Sequence, residues 1–193
     1  MIPTLVTGTV TTAGLALGVG LLVVEHVRWW RGGTATAGAG KGKGAPVESA
    51  GPAKDPKALI PFWFGLAFGT LMVACPAGLL GTIAGVLRWG GNGIGGWVMS
   101  TMTGQHATTI AQASAPGLNQ YGAIVVVVLV IVLYLLRKTF AKVIKGKFKK
   151  GVWAGTLLTI GTGTFAYIGN IVVPGANQLG AWALQGLVHG VLL

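Results

Sequence analysis

YGAIVVVVLVIVLYLLRKTFAKVIKGKFKK, residues 121–150, decides the fold. Through Leu136 it holds no charge and no proline; beyond it come Arg137, Lys138, Lys142, Lys145, Lys147, Lys149 and Lys150, with no acid among them. An apolar helix running into a cationic cluster marks a membrane span whose end stays in the cytoplasm, because Lys and Arg resist translocation and are held by anionic lipid. The hydrocarbon core takes about 20 apolar residues. Tyr121–Leu136 is therefore slightly short, and Gly117 and Leu118 extend it.

Three further stretches meet the same test of length. Ile2 to Val24 ends in Glu25, His26, Arg28 and the pair Trp29–Trp30, an interfacial belt. Ala58 to Leu87 opens with Pro61, Phe62, Trp63 and Phe64; it is longer than a span needs and Pro76 divides it, which a tilted or kinked helix accommodates. Val152 to Val173 stops at Pro174–Gly175. The basic residues sort with these spans. Arg28, Arg31, Lys41, Lys43, Lys54 and Lys57 follow the first, the 137–150 cluster follows the third, and Arg88 alone follows the second. The acids Glu25, Glu48 and Asp55 fall on the same side as the first basic group. Four spans with both termini extracytoplasmic satisfy every loop. The expected fold class is all-α: a polytopic integral membrane protein with four transmembrane helices, supplemented by interfacial amphipathic helices.

Composition agrees. The 193 residues are 52% hydrophobic and 9% charged, with mean hydropathy +0.72, whereas a soluble domain carries about 25% charged residues. The net charge of +11 would suggest nucleic acid in a soluble chain; here topology and lipid anchoring supply a second explanation. Cys75, the single cysteine, excludes an intrachain disulfide and reads as a small packing residue. The first apolar stretch is too long for the core of a cleaved signal and carries its charges afterwards, so it is expected to remain as a span.

The chain divides accordingly. Residues 1–31 form the first transmembrane helix and its basic flank. Residues 32–57, GGTATAGAGKGKGAPVESAGPAKDPK, form a cytoplasmic Gly/Pro/Lys linker with no large apolar residue to bury. Residues 58–193 form a three-span domain with an external loop 88–119, the basic cytoplasmic segment 137–151 and an interfacial tail 176–193. Within the loop a helix from about Ile94 to Ala113 is expected to lie flat on the outer face. In the tail, Leu179, Trp182, Ala183, Leu187 and Val191 share one helical face and Gln178, Gln185 and His189 the other.

The candidate sites are of two kinds. Gly14 and Gly18, Gly65 and Gly69, Gly81 and Gly85, and Gly151 and Gly155 recur at four-residue spacing, which lets helix backbones approach closely in lipid. Packing within the chain and homo-oligomerisation both follow from that spacing. Arg137, Lys138, Lys142, Lys145, Lys147, Lys149 and Lys150, interleaved with Phe140, Val143, Ile144 and Phe148, exceed what anchoring alone requires. As a helix continuing the third span they would meet phosphates, of anionic lipid or of DNA, in a salt-dependent way. Gly91, Gly93 and Gly96 match a dinucleotide spacing but no strand precedes them. His26, His106 and His189 are too dispersed for a metal. No Asp, Glu, Lys or Arg falls inside an expected span, which disfavours ion-coupled transport. Thr7, Thr9, Thr11, Thr12, Thr156, Thr159, Thr162, Thr164 and Asn170 either line an aqueous path or bond between helices. No catalytic arrangement, cofactor, metal or small-molecule substrate is expected.

In size, span number, Gly/Ala/Thr/Val-rich composition, basic cytoplasmic loops and Gly/Pro/Lys linker, the chain resembles the Spd-type spread membrane proteins of Streptomyces conjugative plasmids. The resemblance implies a multi-pass protein of the bacterial inner membrane. It would be a self-associating scaffold or pore component in intercellular transfer of double-stranded DNA, partnered by anionic lipid, duplex DNA or an FtsK-like translocase. The alternatives are a holin-like pore former for lysis and a structural membrane subunit of a secretion or virion assembly.

Overall fold

The computed structural model describes residues 6–32, 56–75, 78–115, 117–136, 144–159 and 164–189. The elements are β1 (Val6–Thr11), α1 (Thr12–Gly32), α2 (Ile60–Ala74), α3 (Gly78–Thr103), β2 (Thr109–Ala115), α4 (Gln120–Leu136), α5 (Lys149–Leu158) and α6 (Thr164–His189). A 3-10 turn, Pro56–Leu59, leads into α2, and a π-turn, Ile144–Phe148, leads into α5. The Thr12–Arg31 and Pro56–Ala74 stretches are long and apolar enough to cross a membrane, and Gln120–Leu135 is a shorter apolar helix.

Local chemistry sets the boundaries. Thr11 closes β1 and caps α1: its Oγ1 accepts from the Gly14 N–H at 3.0 Å, satisfying a donor in the first helical turn. Pro61 starts α2 where a missing N–H is harmless. That helix stops at Cys75, whose backbone is extended (φ −70°, ψ 114°) because Pro76 excludes the helical region for the residue before it. Gly78, at φ +85°, opens α3, and Gly104, at φ +68°, ends it by donating to Ser100 O at 2.8 Å. Asn119 caps α4, its Oδ1 accepting from the Tyr121 and Gly122 N–H groups at 3.0 and 2.9 Å.

The helical character matches the sequence reading, but several boundaries are corrected. The first helix begins at Thr12 rather than Ile2; the residues before it pair antiparallel with β2, Val6 opposite Ala115 through Val10 opposite Ala111. A two-stranded ribbon accompanies the helices. The β-branched residues of β1, Val6, Thr7, Thr9, Val10 and Thr11, suit extended backbone, a local preference that span-length counting overlooks. The long second span is two helices, because Pro76 ends α2 rather than kinking it. Residues 88–103 continue α3, so the expected loop helix 94–113 is replaced by the end of α3, a turn and β2. The fourth span is likewise divided: α5 ends at Leu158, and α6 runs through Pro174 to His189 instead of stopping there. The 33–55 part of the linker and residues 137–143 lie outside the described residues.

Packing centres on α5, which is buried along almost its whole length. It runs parallel to α2, and the two helices interlock through glycines. A Cβ on Gly65 or Gly69 would strike the carbonyls of Phe148 or Val152, and one on Gly151 or Gly155 those of Phe62 or Leu66. Thr159 Oγ1 lies 2.8 Å from Thr70 Oγ1 across the same seam. Against α1, α5 is antiparallel: Gly18 meets Leu157 and Leu158 at one end while Glu25 meets Lys150 at the other. Helix α4 is antiparallel to α6, with Gly122 against Asn177 and Gly180 against the Tyr121 carbonyl. Val126, Val173, Ala176, Leu71 and Ala74 fill the space between this pair and α2.

Candidate functional site

Glu25 organises one end of the bundle. It sits three turns into α1, its side chain only 2% exposed, and accepts from Lys150 Nζ at 2.5 Å; Arg28 Nη1 approaches the same oxygen at 3.7 Å. An acid so placed is tolerated because a cation meets it within hydrogen-bond distance. Next to it, His26 Nδ1 is 2.7 Å from Leu22 O, and the ring stands edge-on to Phe62 and Trp63. Lys147 Nζ donates to Ala58 O at 2.8 Å, tying the π-turn to the 3-10 turn before α2. The Phe148 ring then packs between Phe64 and Phe68.

The expected anion-contacting residues separate into groups. Arg137, Lys138 and Lys142 lie outside the described residues. Lys145 lies in the π-turn. Lys150 is neutralised by Glu25 and Lys147 is held by a carbonyl, whereas Lys149 is exposed. The described basic residues do not continue the third span as a straight helix: Gly146 (φ −96°, ψ −105°) breaks the backbone inside Ile144–Phe148, and α5 starts anew. Together with Arg28, Arg31 and Lys57, these groups give the bundle one cationic end.

The opposite end of α1 is polar without charge. Thr11 Oγ1 donates to Asn92 Oδ1 at 2.9 Å, the Thr12 N–H donates to Thr108 O at 3.0 Å, and the Asn119 N–H donates to Asn177 Oδ1 at 3.1 Å. Near the start of α4, Tyr121, Ala181, Leu184, Gln185 and Val188 line an uncharged pocket of about 260 Å³.

The paired glycines are distributed unequally. Gly14 lies against the Asn92 side chain, Gly18 against α5, and Gly65, Gly69, Gly151 and Gly155 share the α2–α5 seam. Gly81 would place a Cβ 2.8 Å from the Cys75 carbonyl, and Gly85 faces open space. Gly91, Gly93 and Gly96 lie in the interior of α3, with Gly91 against Leu157, so their backbone forms no phosphate-cradling turn. In the tail the packed face is small, Ala176, Gly180 and Gly186, while Leu179, Trp182 and Leu187 point outward. That small residues rather than Leu179, Trp182 and Leu187 would dock was not legible in the sequence.

Sequence reasoning missed Glu25 and Arg88 as charged groups packed within the helical bundle. Both lie within described helices, and Arg88 falls on the stripe of α3 that carries Ala84, Gly91 and Gly95. For Glu25 the available signal was one acid at the end of an apolar run; for Arg88 it was a cation at helical spacing from small residues. Among the described residues no group of three or more His, Cys, Asp or Glu could hold a metal ion. No protein-family model, curated protein or solved structure matches the chain.

Proposed function

We propose that the chain is a multi-pass inner-membrane scaffold that seats its cationic end on anionic headgroups. One observation carries this reading: apolar side chains face outward along the helices while the described cations other than Arg88 gather at one end. Val23, Val24 and Val27 on α1, Ile83, Val86 and Trp89 on α3, Ile124, Val127, Val128 and Ile131 on α4, and Ile171, Leu179 and Leu187 on α6 are all exposed. In water such a surface would drive aggregation; against acyl chains it is at rest. Helix α1, 21 residues long, spans about 30 Å at about 1.5 Å per residue, close to the hydrocarbon thickness.

A scaffold is favoured over a pore within one copy because the threonines turn inward. Thr70, Thr156 and Thr159 are buried and bond to one another or to helix carbonyls. In the DNA-transfer setting implied by the resemblance to spread proteins, the cationic end is the surface offered to phosphates, of lipid first and of duplex DNA second. Lys150 and Lys147 already have partners, which lowers the charge left for DNA. Self-association would use the outward faces, Gly85 among them, rather than the glycine seam already filled by α2 and α5.

Membrane fractionation with an alkaline wash, followed by sizing in detergent, tests the reading. Retention in the washed membrane and a particle larger than one copy are expected. Release by alkali would refute membrane integration, and a monomer would refute self-association. Gel shift of duplex DNA, compared with a variant in which Lys142, Lys145, Lys147, Lys149 and Lys150 are replaced by Gln, separates the two phosphate partners.

A further inference from the structure

Arg88 stands apart from the cationic end. It lies one turn after Ala84 and one before Gly91 on the packed stripe of α3, near the part of the helix that meets α5: Gly90 faces the Trp153 ring and Gly91 faces Leu157. Its Nε and Nη1 are buried and have no hydrogen-bond partner among the described residues. A guanidinium stays charged, and leaving its donors unpaired away from water is far less favourable than leaving a neutral donor unpaired. Glu25, the carboxylate among the described residues, is held by Lys150 and Arg28 at the cationic end.

We propose that Arg88 binds a phosphate group, that of an anionic lipid whose acyl chains lie along α3. The surroundings specify both halves of such a ligand. The unpaired donors call for an anion with several acceptor oxygens, which phosphate supplies and a guanidinium matches well. The exposed apolar side chains of α3, Ile83, Val86 and Trp89, lie round the helix from Arg88, so acyl chains would cover that outer face while the headgroup reaches the guanidinium round the helix. Gly85, one turn before Arg88, has nothing within 4 Å of where a Cβ would stand, which leaves room beside the arginine. A soluble anion satisfies the first requirement alone; a phospholipid satisfies both. Trp89 also fits the headgroup boundary, where indoles concentrate.

The inference rests on the membrane reading, and its test keeps the two apart. Wild-type protein, R88Q, R88K and Q105A, all extracted from membranes that survive an alkaline wash, are titrated with phosphatidylglycerol, with phosphatidylcholine and with inorganic phosphate, reading bound lipid by native mass spectrometry and the shift in melting temperature. Wild type should prefer phosphatidylglycerol, R88Q should lose about tenfold or more of that affinity, as expected for one charged hydrogen-bonded contact, and R88K should fall between. Q105A, at an exposed uncharged position past the end of α3, should resemble wild type. A phosphate response that also vanishes in R88Q supports the site and shows that the headgroup suffices. Unchanged phosphatidylglycerol affinity in R88Q, or an equal loss in Q105A, overturns the proposal. If the arginine variants fail to reach the membrane, the wild type decides: no preference for phosphatidylglycerol over phosphatidylcholine overturns it. Release of wild type by alkali would refute the membrane reading itself.

Discussion

Replacing Gly69 by Ala tests the central seam, and Gly85→Ala is its control. At Gly69 the added methyl would meet the Val152 carbonyl well inside the 3.0 Å that real Cβ atoms respect, and the obstacle is backbone, which cannot rotate away. Ordinary contact needs 3.4–4 Å, so α2 and α5 must part by about 1 Å locally. A gap of about 0.5–1 Å forfeits roughly a quarter to a half of each dispersion contact. Overpacking of this kind costs about 1–3 kcal/mol. Alanine regains about 1 kcal/mol of helix propensity, leaving Gly69→Ala destabilised by roughly 0–2 kcal/mol. Gly85→Ala receives the same propensity gain with no clash and should be stabilised by about 0.5–1 kcal/mol. The difference between the two variants, about 1–3 kcal/mol, isolates packing because propensity cancels. Unfolding in mixed micelles by added denaturing detergent, followed by tryptophan fluorescence, reads it. Equal stability of Gly69→Ala and Gly85→Ala would refute the close α2–α5 approach.

Glu25→Gln removes the carboxylate between Lys150 and Arg28 and should cost about 1–3 kcal/mol; in a double-mutant cycle with Lys150→Gln, a coupling energy near zero would refute the ion pair. Asn119→Ala strips the cap from α4 and the acceptor for two N–H groups, at a cost of about 1 kcal/mol; melting in detergent reads it, and no shift would refute the cap. In a Cys75→Ala background, a cysteine at Gln105 should react with an impermeant maleimide on intact cells and one at Lys149 only after permeabilisation; the reverse pattern would refute the orientation.

Apolar run length made the helical character legible, with two helices long and apolar enough to cross a membrane, and four-residue glycine spacing pointed to surfaces of close approach. What was not legible follows from the limits of hydropathy. Counting apolar residues cannot register that Pro76 forces Cys75 into extended backbone, or that Gly78 then takes a positive φ. It also cannot distinguish a threonine-rich strand from the start of a span, since pairing of Val6–Thr11 with Thr109–Ala115 joins segments far apart in sequence. The burial of Glu25 escaped for a related reason: its partner, Lys150, lies 125 residues away. Read along the chain, Lys150 was one more cation in a basic run; in the fold it is the counter-ion of a buried acid.

Helix α5 shows why span number is the wrong quantity for this fold. Its 10 residues rise about 15 Å at about 1.5 Å each, half the hydrocarbon thickness. In the proposed membrane setting its free backbone ends could not face lipid, which offers no hydrogen bonds, so protein would have to surround them. The seam with α2 supplies that enclosure, and only glycine at Gly65, Gly69, Gly151 and Gly155 lets the backbones come close enough. The same enclosure fixes Lys150, in the first turn of α5, against Glu25 on α1, and Thr159, just past its last turn, against Thr70 on α2. A short wrapped helix therefore joins the cationic end to the interior. On the scaffold proposal, a displacement of the basic π-turn would reach α1 through Lys150 and Glu25 and α2 through the glycine seam.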